Sequence, residues 1–292
     1  MPLIKVFLLQ TEMNVIRTVK ELRQAVADAK AAGLKVGLVP TMGALHAGHV
    51  SLIDRARREC GFVVVSDFVN PTQFNNQQDL LTYPRTEEAD CEKMERAGVD
   101  VAFIPSVEEM YPEPDTRQFD LGPVADVMEG AMRPGHFNGV AQIVSKLFAI
   151  VEPDKAYFGE KDFQQIAVIR RMVELEGFKL EIVDCPILRE DDGLAMSSRN
   201  VRLDAEHRAL APAINRVLRE SLEYARDHTV AETERFVTET INSTGDLETE
   251  YYQIVDALTM QPVDPQAKPA EGMVGCVTVY CGGVRLIDNI KY

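Results

Sequence analysis

The chain has few or none of several residue types, and each shortage excludes a class of protein. It contains no tryptophan, and only five of its 292 residues are cysteine. The cysteine number is odd, the spacings are wide and no C-x-x-C pair occurs, which argues against a disulfide-bonded secreted domain and against a zinc site. We therefore expect free thiols and a cytoplasmic location.

Positive charge is also scarce. Lysine and arginine number 31 against 46 aspartates and glutamates, for a formal net charge of -15. Such a surface repels a phosphate backbone, so we expect no nucleic-acid partner. A small anion can still bind if a few cations are gathered in one cleft.

Long apolar runs are missing as well. None approaches the ~20 residues that a membrane helix needs, so we expect no membrane association through a span. The first residues, "MPLIKVFLLQTE", are interrupted by Lys5 and lack a small-residue cleavage site. They predict a first strand rather than a signal peptide.

Strand-like and helix-like segments alternate as far as residue 188, which predicts βαβ units and a mostly parallel, Rossmann-like sheet. After residue 188 the pattern changes and predicts two amphipathic helices followed by three strands. We predict an α/β domain over 1–187 and a smaller α+β domain over 188–292. The predicted strands are 35–40, 62–69, 99–105, 155–162 and 179–188, and the predicted helices are 50–60, 87–98, 138–153, 163–177, 204–226 and about 230–242.

Polar clusters stand where several predicted strands end. "PTMGALHAGH", "NPTQF" and "GEKD" each follow a strand, and "MSSR" lies just beyond the strand that ends near residue 188. In an open parallel sheet, ligands bind beyond the carboxyl ends of the strands. The clusters therefore predict one shared site.

The first cluster suits a phosphate. Gly48 and His49 should begin a helix, where unpaired N–H groups and the helix dipole favour anions. His46 and His49 add donors, and near neutral pH each can be neutral or charged; an imidazolium could stabilise charge on a phosphate. The pair is equally compatible with surface or capping histidines, whereas no third ligand at zinc spacing supports a metal site.

The other clusters are individually ambiguous. Lys161 and Arg199 offer cations that suit phosphate oxygens, but "GEKD" is also an ordinary solvated turn and "MSSRN" an ordinary linker. "RPGHFNGV" offers Arg133, His136 and Asn138 before a helix. The amides that could orient a small polar substrate are Asn70, Gln73 and Gln165.

Taken together, the motifs are similar to one family. "PTMGALHAGH" with "MSSR" resembles the paired H-x-G-H and K-M-S-K-S motifs of adenylyl-transferring Rossmann enzymes. The ordered blocks "VPTMGALHAGHVSLI", "FVNPTQF", "YPRT", "RPGHFNGV", "FGEKDFQQ", "DGLAMSSRN" and "RLIDN" resemble the pantoate–β-alanine ligases from about residue 14 to 290.

The resemblance implies a two-step reaction. Pantoate would attack ATP to give pantoyl adenylate and pyrophosphate, and β-alanine would then release pantothenate and AMP. It also implies ATP and Mg²⁺ as ligands and a homodimer.

The family's site residues map onto this sequence position by position. The resemblance implies His49, His46 and Lys161 as catalytic residues and Asp90 as a carboxylate near the metal. Pantoate and β-alanine contacts are implied for Gln73, Gln165, Asn70, Arg133 and His136. The implied ATP site comprises Met42, Gly43, Ala44, Leu45, His46, Ala47, Gly48, His49, Gly159, Glu160, Lys161, Asp162, Leu188, Met196, Ser197, Ser198 and Arg199.

Two other functions remain open at this point. One is a nucleotidyltransferase of the same fold, which would keep the nucleotide in its product. The other is a nucleotide-binding regulator without catalysis, which would not need His49, Gln73 or Gln165.

One residue departs from the expected pattern. Asp67 interrupts the apolar run "FVVVSDFV", and a carboxylate inside a sheet costs several kcal/mol unless it is paired. We expect it either at the open end of the strand or beside an arginine or histidine.

Overall fold

The computed structural model describes residues 12–292, so the strand predicted within the first twelve residues lies almost wholly outside the described part. Residues 12–292 contain a six-stranded parallel sheet in the order β1-β4-β3-β2-β5-β6 and a three-stranded antiparallel sheet in the order β7-β8-β9. The strands are β1 Asn14–Ile16, β2 Val36–Thr41, β3 Phe62–Asp67, β4 Val101–Phe103, β5 Lys155–Gly159, β6 Glu181–Cys185, β7 Leu247–Asp256, β8 Met273–Cys281 and β9 Val284–Lys291.

Helices cover both faces of the parallel sheet. None of the helices between residues 12 and 292 is long and apolar enough to cross a membrane. The helices are α1 Val19–Ala31, α2 Ala47–Glu59, α3 Gln77–Thr82, α4 Glu87–Arg96, α5 Val107–Met110, α6 Glu129–Met132, α7 His136–Val151, α8 Phe163–Glu176, α9 Ala205–Leu210, α10 Ala213–Tyr224 and α11 Val230–Asn242.

Two apolar clusters sandwich the parallel sheet because its strands are buried on both faces. Val64 of β3 belongs to a cluster with helices α1, α7 and α8. Its neighbours Val63 and Val65 point the other way, into a cluster with α2 and α4. Successive side chains of a strand point to opposite faces of the sheet. Because both faces are covered here, the whole run "FVVV" is apolar.

The C-terminal part has its own core, in which α10 and α11 pack on the antiparallel sheet. The predicted helix 230–242 and the three predicted strands are confirmed. The prediction of one helix over 204–226 is wrong, because the chain forms α9 and α10 with a break at Ala211 and Pro212. A proline has no N–H to donate and its ring clashes with the preceding turn, so it begins a new helix instead.

The strand order fixes where a ligand can bind. The chain leaves β2 towards β3 on one side, whereas β5 pairs with β2 on the other side. The loops that follow β2 and β5 therefore separate and open a crevice at their carboxyl ends. The first of these loops ends at His46 and leads into α2, whose first turn carries His49, and the second loop carries Lys161.

Buried polar contacts join the two parts of the chain. Glu129 of α6 accepts hydrogen bonds from Arg285 of β9 at 2.6 and 2.8 Å, from Tyr251 of β7 at 2.8 Å and from Thr278 of β8 at 3.0 Å. Asn289 of β9 donates to the carbonyl oxygens of residues 160 and 161, at 2.7 and 3.1 Å. The antiparallel sheet therefore braces the loop after β5.

Candidate active site

A cavity of about 200 Å³ lies at the carboxyl ends of β2, β3 and β5, and residues 186–188 and 196–199 close one side of it. Fifteen of the predicted site residues therefore meet in one place. They are Met42, His46, Gly48, His49, Asn70, Gln73, Gly159, Lys161, Asp162, Gln165, Leu188, Met196, Ser197, Ser198 and Arg199.

The two histidines of the first cluster form a capping box at the start of α2. His46 is the N-cap, and its Nδ1 accepts a hydrogen bond from the Gly48 N–H at 3.1 Å. His49 Nδ1 in turn accepts from the His46 N–H at 3.3 Å, and the ring centroids lie 4.1 Å apart. With both Nδ1 atoms accepting, each neutral ring carries its proton on Nε2 and can donate from there.

Both rings are neutral at pH 7. Burial, followed by the charges of His49 and Lys161, lowers the pKa of His46 to about 3. Burial, followed by the charge of Lys161, lowers the pKa of His49 to about 4. Of the neutral and charged forms that the sequence leaves open, the free protein therefore favours the neutral one, because burial and neighbouring cations disfavour the charged form.

Asp90 anchors the loop that leads to these histidines. Its side chain is fully buried and accepts from the N–H groups of Ala44 and Leu45 at 2.8 and 2.7 Å, and from the Thr86 hydroxyl at 2.9 Å. Ala44 has a φ of 49°, a left-handed conformation that is uncommon outside glycine. The carboxylate stabilises this turn by pairing its N–H groups.

The structure therefore places Asp90 beneath the loop and outside the cavity. Gly43, Ala44, Leu45, Ala47 and Glu160 do not line it either. The Glu160 side chain points towards β9, where it accepts from Lys291 at 2.6 Å. Among residues 12–292, no group of three or more histidine, cysteine, aspartate or glutamate side chains could hold a metal ion.

The amide cluster after β3 is preorganised. Asn70 donates to Gln73 Oε1 at 3.0 Å and to the Gly139 carbonyl oxygen at 3.2 Å. A Cβ at Gly139 would lie 2.3 Å from the Thr72 carbonyl oxygen, so only glycine lets α7 approach this turn. The close approach fixes Gln73 at the cavity wall.

Arg133 and His136 line a smaller adjoining cavity that shares Lys161, Asp162 and Gln165 with the first. His136 Nδ1 donates to the Gln73 carbonyl oxygen at 2.8 Å in the tautomer that this contact requires. Burial and the Arg133 charge lower the pKa of His136 to about 4. The pair therefore lies next to the main cavity, where His136 supports Gln73 from behind and Arg133 Nη1 lies 3.2 Å from His136 Nε2.

Segment 196–199 reaches the cavity from the C-terminal side of the chain. Ser198 Oγ lies 3.1 Å from the Tyr83 hydroxyl, and the Arg199 guanidinium lies 5.7 Å from the centre of the Tyr83 ring. Arg199 also pairs with Asp79 at 2.7 Å. Residues far apart in sequence thus close one wall of the cavity.

Sequence reasoning missed the apolar wall and four aromatic residues that line the cavity, which are Phe68, Tyr83, Tyr157 and Phe158. Tyr83, in the block "YPRT", lines the cavity, and no local pattern in the sequence distinguishes it from the others. The wall comes from α7, whose apolar spacing of three and four residues was visible but is typical of any core helix. The wall residues from α7 are Val140, Ile143, Val144 and Leu147.

Asp67 is the last residue of β3, which confirms the expectation that it lies at the open end of the strand. The second expectation, an arginine or histidine partner, is wrong for the described residues. Burial, followed by the charges of Asp90 and Glu87, raises the pKa of Asp67 to about 6. Its carboxylate also fills the space beside Gly43, where a Cβ would lie 2.4 Å from Oδ1.

Comparisons with known proteins agree with this geometry. The family model "Pantoate-beta-alanine ligase" matches residues 14–291. Pantothenate synthetases of Porphyromonas gingivalis strain W83 and Bacteroides fragilis strain YCH46 are each 60% identical over 280 residues, covering 96% of this chain and 99% of each relative.

Solved structures give the same result. The pantothenate synthetase from Thermus thermophilus is 46% identical with a TM-score of 0.89, over 96% of this chain and 99% of that chain. The pantoate-beta-alanine ligase from Francisella tularensis, complexed with beta-gamma ATP and beta-alanine, is 35% identical with a TM-score of 0.79, over 96% and 97%. The chain belongs to the pantoate–β-alanine ligase family, and it is a ligase.

Proposed function

We propose that this chain condenses (R)-pantoate with β-alanine in an ATP-dependent reaction that passes through pantoyl adenylate and releases AMP and pyrophosphate. The observation that carries the proposal is the convergence of His46, His49, Lys161 and Arg199 on one cavity that Gln73 also lines. The Francisella relative was crystallised with beta-gamma ATP and beta-alanine, which supports the same kinds of ligand here.

In the first step, a pantoate carboxylate oxygen forms a bond to the α-phosphorus, and the bond to pyrophosphate breaks. Negative charge accumulates on the phosphate oxygens. The Nε2–H groups of His46 and His49 and the Lys161 ammonium are the donors that stabilise it. Because the imidazoles are neutral, they act as hydrogen-bond donors, and the cationic charge comes from Lys161 and Arg199.

In the second step, the β-alanine nitrogen attacks the activated carbonyl carbon, the bond from carbon to the AMP oxygen breaks, and the nitrogen loses a proton. Gln73 and Gln165 would hold pantoate against the apolar wall from α7 throughout. Arg133 and His136 would contact substrate from the adjoining cavity, with Asn70 orienting Gln73. Apart from His46, His49 and Lys161, the proposed ATP contacts are Met42, Gly48, Gly159, Asp162, Leu188, Met196, Ser197, Ser198 and Arg199.

We further propose that domain 188–292 closes over ATP and excludes water from the reactive adenylate. Segment 196–199 belongs to this domain and already lies on the cavity wall. Protease cleavage around 189–200 that does not slow when ATP and pantoate are added would contradict closure.

The described residues do not fit a metal held by the protein. Both carboxylate oxygens of Asp90 accept hydrogen bonds from the backbone N–H groups of the loop, and residues 12–292 contain no cluster of three or more ligating side chains. We propose that Mg²⁺ enters on the ATP phosphates. A cytoplasmic location and a homodimer remain proposals, the first resting on cysteine usage and the second on the family resemblance.

The test is a mass-spectrometric assay with ATP, Mg²⁺ and pantoate, with and without β-alanine. The proposal predicts equal amounts of pantothenate and AMP, both depending on β-alanine for turnover. A product that retains the nucleotide would favour a nucleotidyltransferase, and ATP binding without AMP would favour a regulator.

A further inference from the structure

Two arginines from the C-terminal side of the chain share one carboxylate from the N-terminal side. Asp79 of α3 accepts from Arg199 Nη2 through Oδ2 at 2.7 Å and from Arg202 Nη1 through Oδ1 at 3.0 Å. Arg199 lines the main cavity, whereas Asp79 and Arg202 do not. Asp79 therefore acts on the site from outside, through Arg199.

Arg199 is held on more than one side. One donor of its guanidinium is paired with Asp79, and the face of the Tyr83 ring lies 5.7 Å away. Tyr83 is itself fixed by its 3.1 Å contact with Ser198. A guanidinium has five N–H donors in a rigid fork, so one bond to Asp79 together with the contact with the Tyr83 ring restrains its orientation and leaves donors for a phosphate.

Charge balance allows this arrangement to attract an anion. The single carboxylate of Asp79 is shared by two guanidinium groups, so the trio keeps a net positive charge. The Asp79 side chain is 22% exposed and that of Arg199 is 24% exposed, so the pair is partly shielded from water. A partly buried, charge-assisted pair of this kind holds a side chain more firmly than an exposed one.

We infer that Asp79 is a positioning residue that holds the Arg199 guanidinium at the edge of the cavity in the orientation that binds the ATP phosphates. The inference rests on the proposed function only in taking ATP as the ligand of Arg199. It assigns to α3, which lies outside the predicted site, a role in nucleotide affinity.

The test measures MgATP binding by calorimetry and the KM values for ATP and pantoate in Asp79→Asn. Losing the fixed orientation should weaken MgATP binding and raise the KM for ATP about tenfold, while the KM for pantoate changes less than about twofold. Asp79→Glu keeps the charge and should recover part of the affinity. In an Arg199→Met background, adding Asp79→Asn should change neither the MgATP affinity nor the KM for ATP by more than about twofold.

Glu220→Gln is the matched control, because it removes the same charge from an exposed ion pair with Arg216 on α10. The inference would be overturned if Asp79→Asn bound MgATP as tightly as the wild type or more tightly. It would also be overturned if Asp79→Asn weakened MgATP binding as much in the Arg199→Met background as in the wild type. Because binding is measured directly, the outcome is separate from that of the proposed function. If the wild-type protein binds MgATP but forms no pantothenate, only the proposed function is contradicted. If it does not bind MgATP, the proposed function and the inference about Asp79 are both contradicted.

Discussion

His49 Nδ1 accepts a hydrogen bond from the backbone N–H of His46, while His46 Nδ1 accepts from Gly48, so that the two imidazoles cap the same helix. The capping and the catalytic interpretations of this pair are therefore compatible. Capping fixes the ring orientation and the tautomer, and the tautomer leaves both Nε2 atoms as donors.

The histidine protonation states give a direct prediction. His46, His49 and His136 have pKa values of about 3, about 4 and about 4, so their ring resonances should not shift between about pH 5 and pH 8 in NMR spectra of the free protein. His207 provides an internal control, because contacts with Asp246 and Asp204 raise its pKa, and it should titrate above the ordinary range. A midpoint above about pH 6 for His46 or His49 would contradict the account.

Removing a donor from the cavity should slow the reaction without unfolding the protein. His49→Ala and Lys161→Ala should each lower kcat by on the order of 10²–10³, since each removes a preorganised group that faces developing charge. Lys20→Ala, at an exposed position of α1, is the control and should keep full activity. A variant that keeps more than about a third of the wild-type rate would remove that residue from the catalytic set.

Asp67 should lower stability at neutral pH. Its folded-state pKa of about 6 lies above the ordinary value of 3.8, so the folded protein holds the proton more tightly. Stability therefore falls as the pH rises from about 4 to about 6 and stays lowered above that. Asp67→Asn should raise the free energy of unfolding by about 1–3 kcal/mol at pH 7 and by little at pH 4.

Urea titrations of both proteins at the two pH values measure this difference. Asp154→Asn is unsuitable as a control, since Asp154 accepts from the N–H of Val36. Asp54→Asn, at an exposed position of α2, is a better one. An equal effect of Asp67→Asn at both pH values would show that the charge of Asp67 does not destabilise the folded protein.

Breaking the buried ion pair between the two parts of the chain should be costly. Burial alone would raise the pKa of Glu129, but the hydrogen bonds and charge of Arg285 outweigh it and lower the value to about 2. This stabilisation is present above the ordinary pKa near 4.5 and is lost as the pH falls towards 2. Glu129→Gln should lower the free energy of unfolding at pH 7 by about 3–5 kcal/mol.

Denaturant unfolding measures this loss, and Glu220→Gln again serves as the exposed control. A loss below about 1 kcal/mol would show that Arg285 finds another partner. Glu250 is the nearest one, because it already accepts from Arg285 Nε at 2.9 Å.

The sheet was predictable because its strands are short apolar runs separated by helical segments, and buried parallel strands require that pattern. The strand ends followed from the same pattern, which is why His46, His49 and Lys161 were expected together. The helix predicted over 204–226 failed at a proline that the sequence displays, so that error came from giving amphipathic spacing more weight than Pro212.

Other features depend on burial or on long-range contacts that no local pattern encodes. The neutrality of His46 follows from desolvation and from Lys161, which lies far away in the sequence. The position of Asp90 beneath the loop and the pairing of Asp79 with Arg199 also require the tertiary structure. Spacing alone cannot distinguish a carboxylate that supports the backbone from one that faces a ligand.

The most direct test of the central claim is isotope transfer from pantoate labelled with ¹⁸O in its carboxylate. If a carboxylate oxygen attacks the α-phosphorus, that oxygen stays on phosphorus when the amide forms. The account predicts that AMP carries one ¹⁸O atom for each pantothenate formed, measured by mass spectrometry. Unlabelled AMP, or ¹⁸O in inorganic phosphate, would contradict an adenylate intermediate in this cavity.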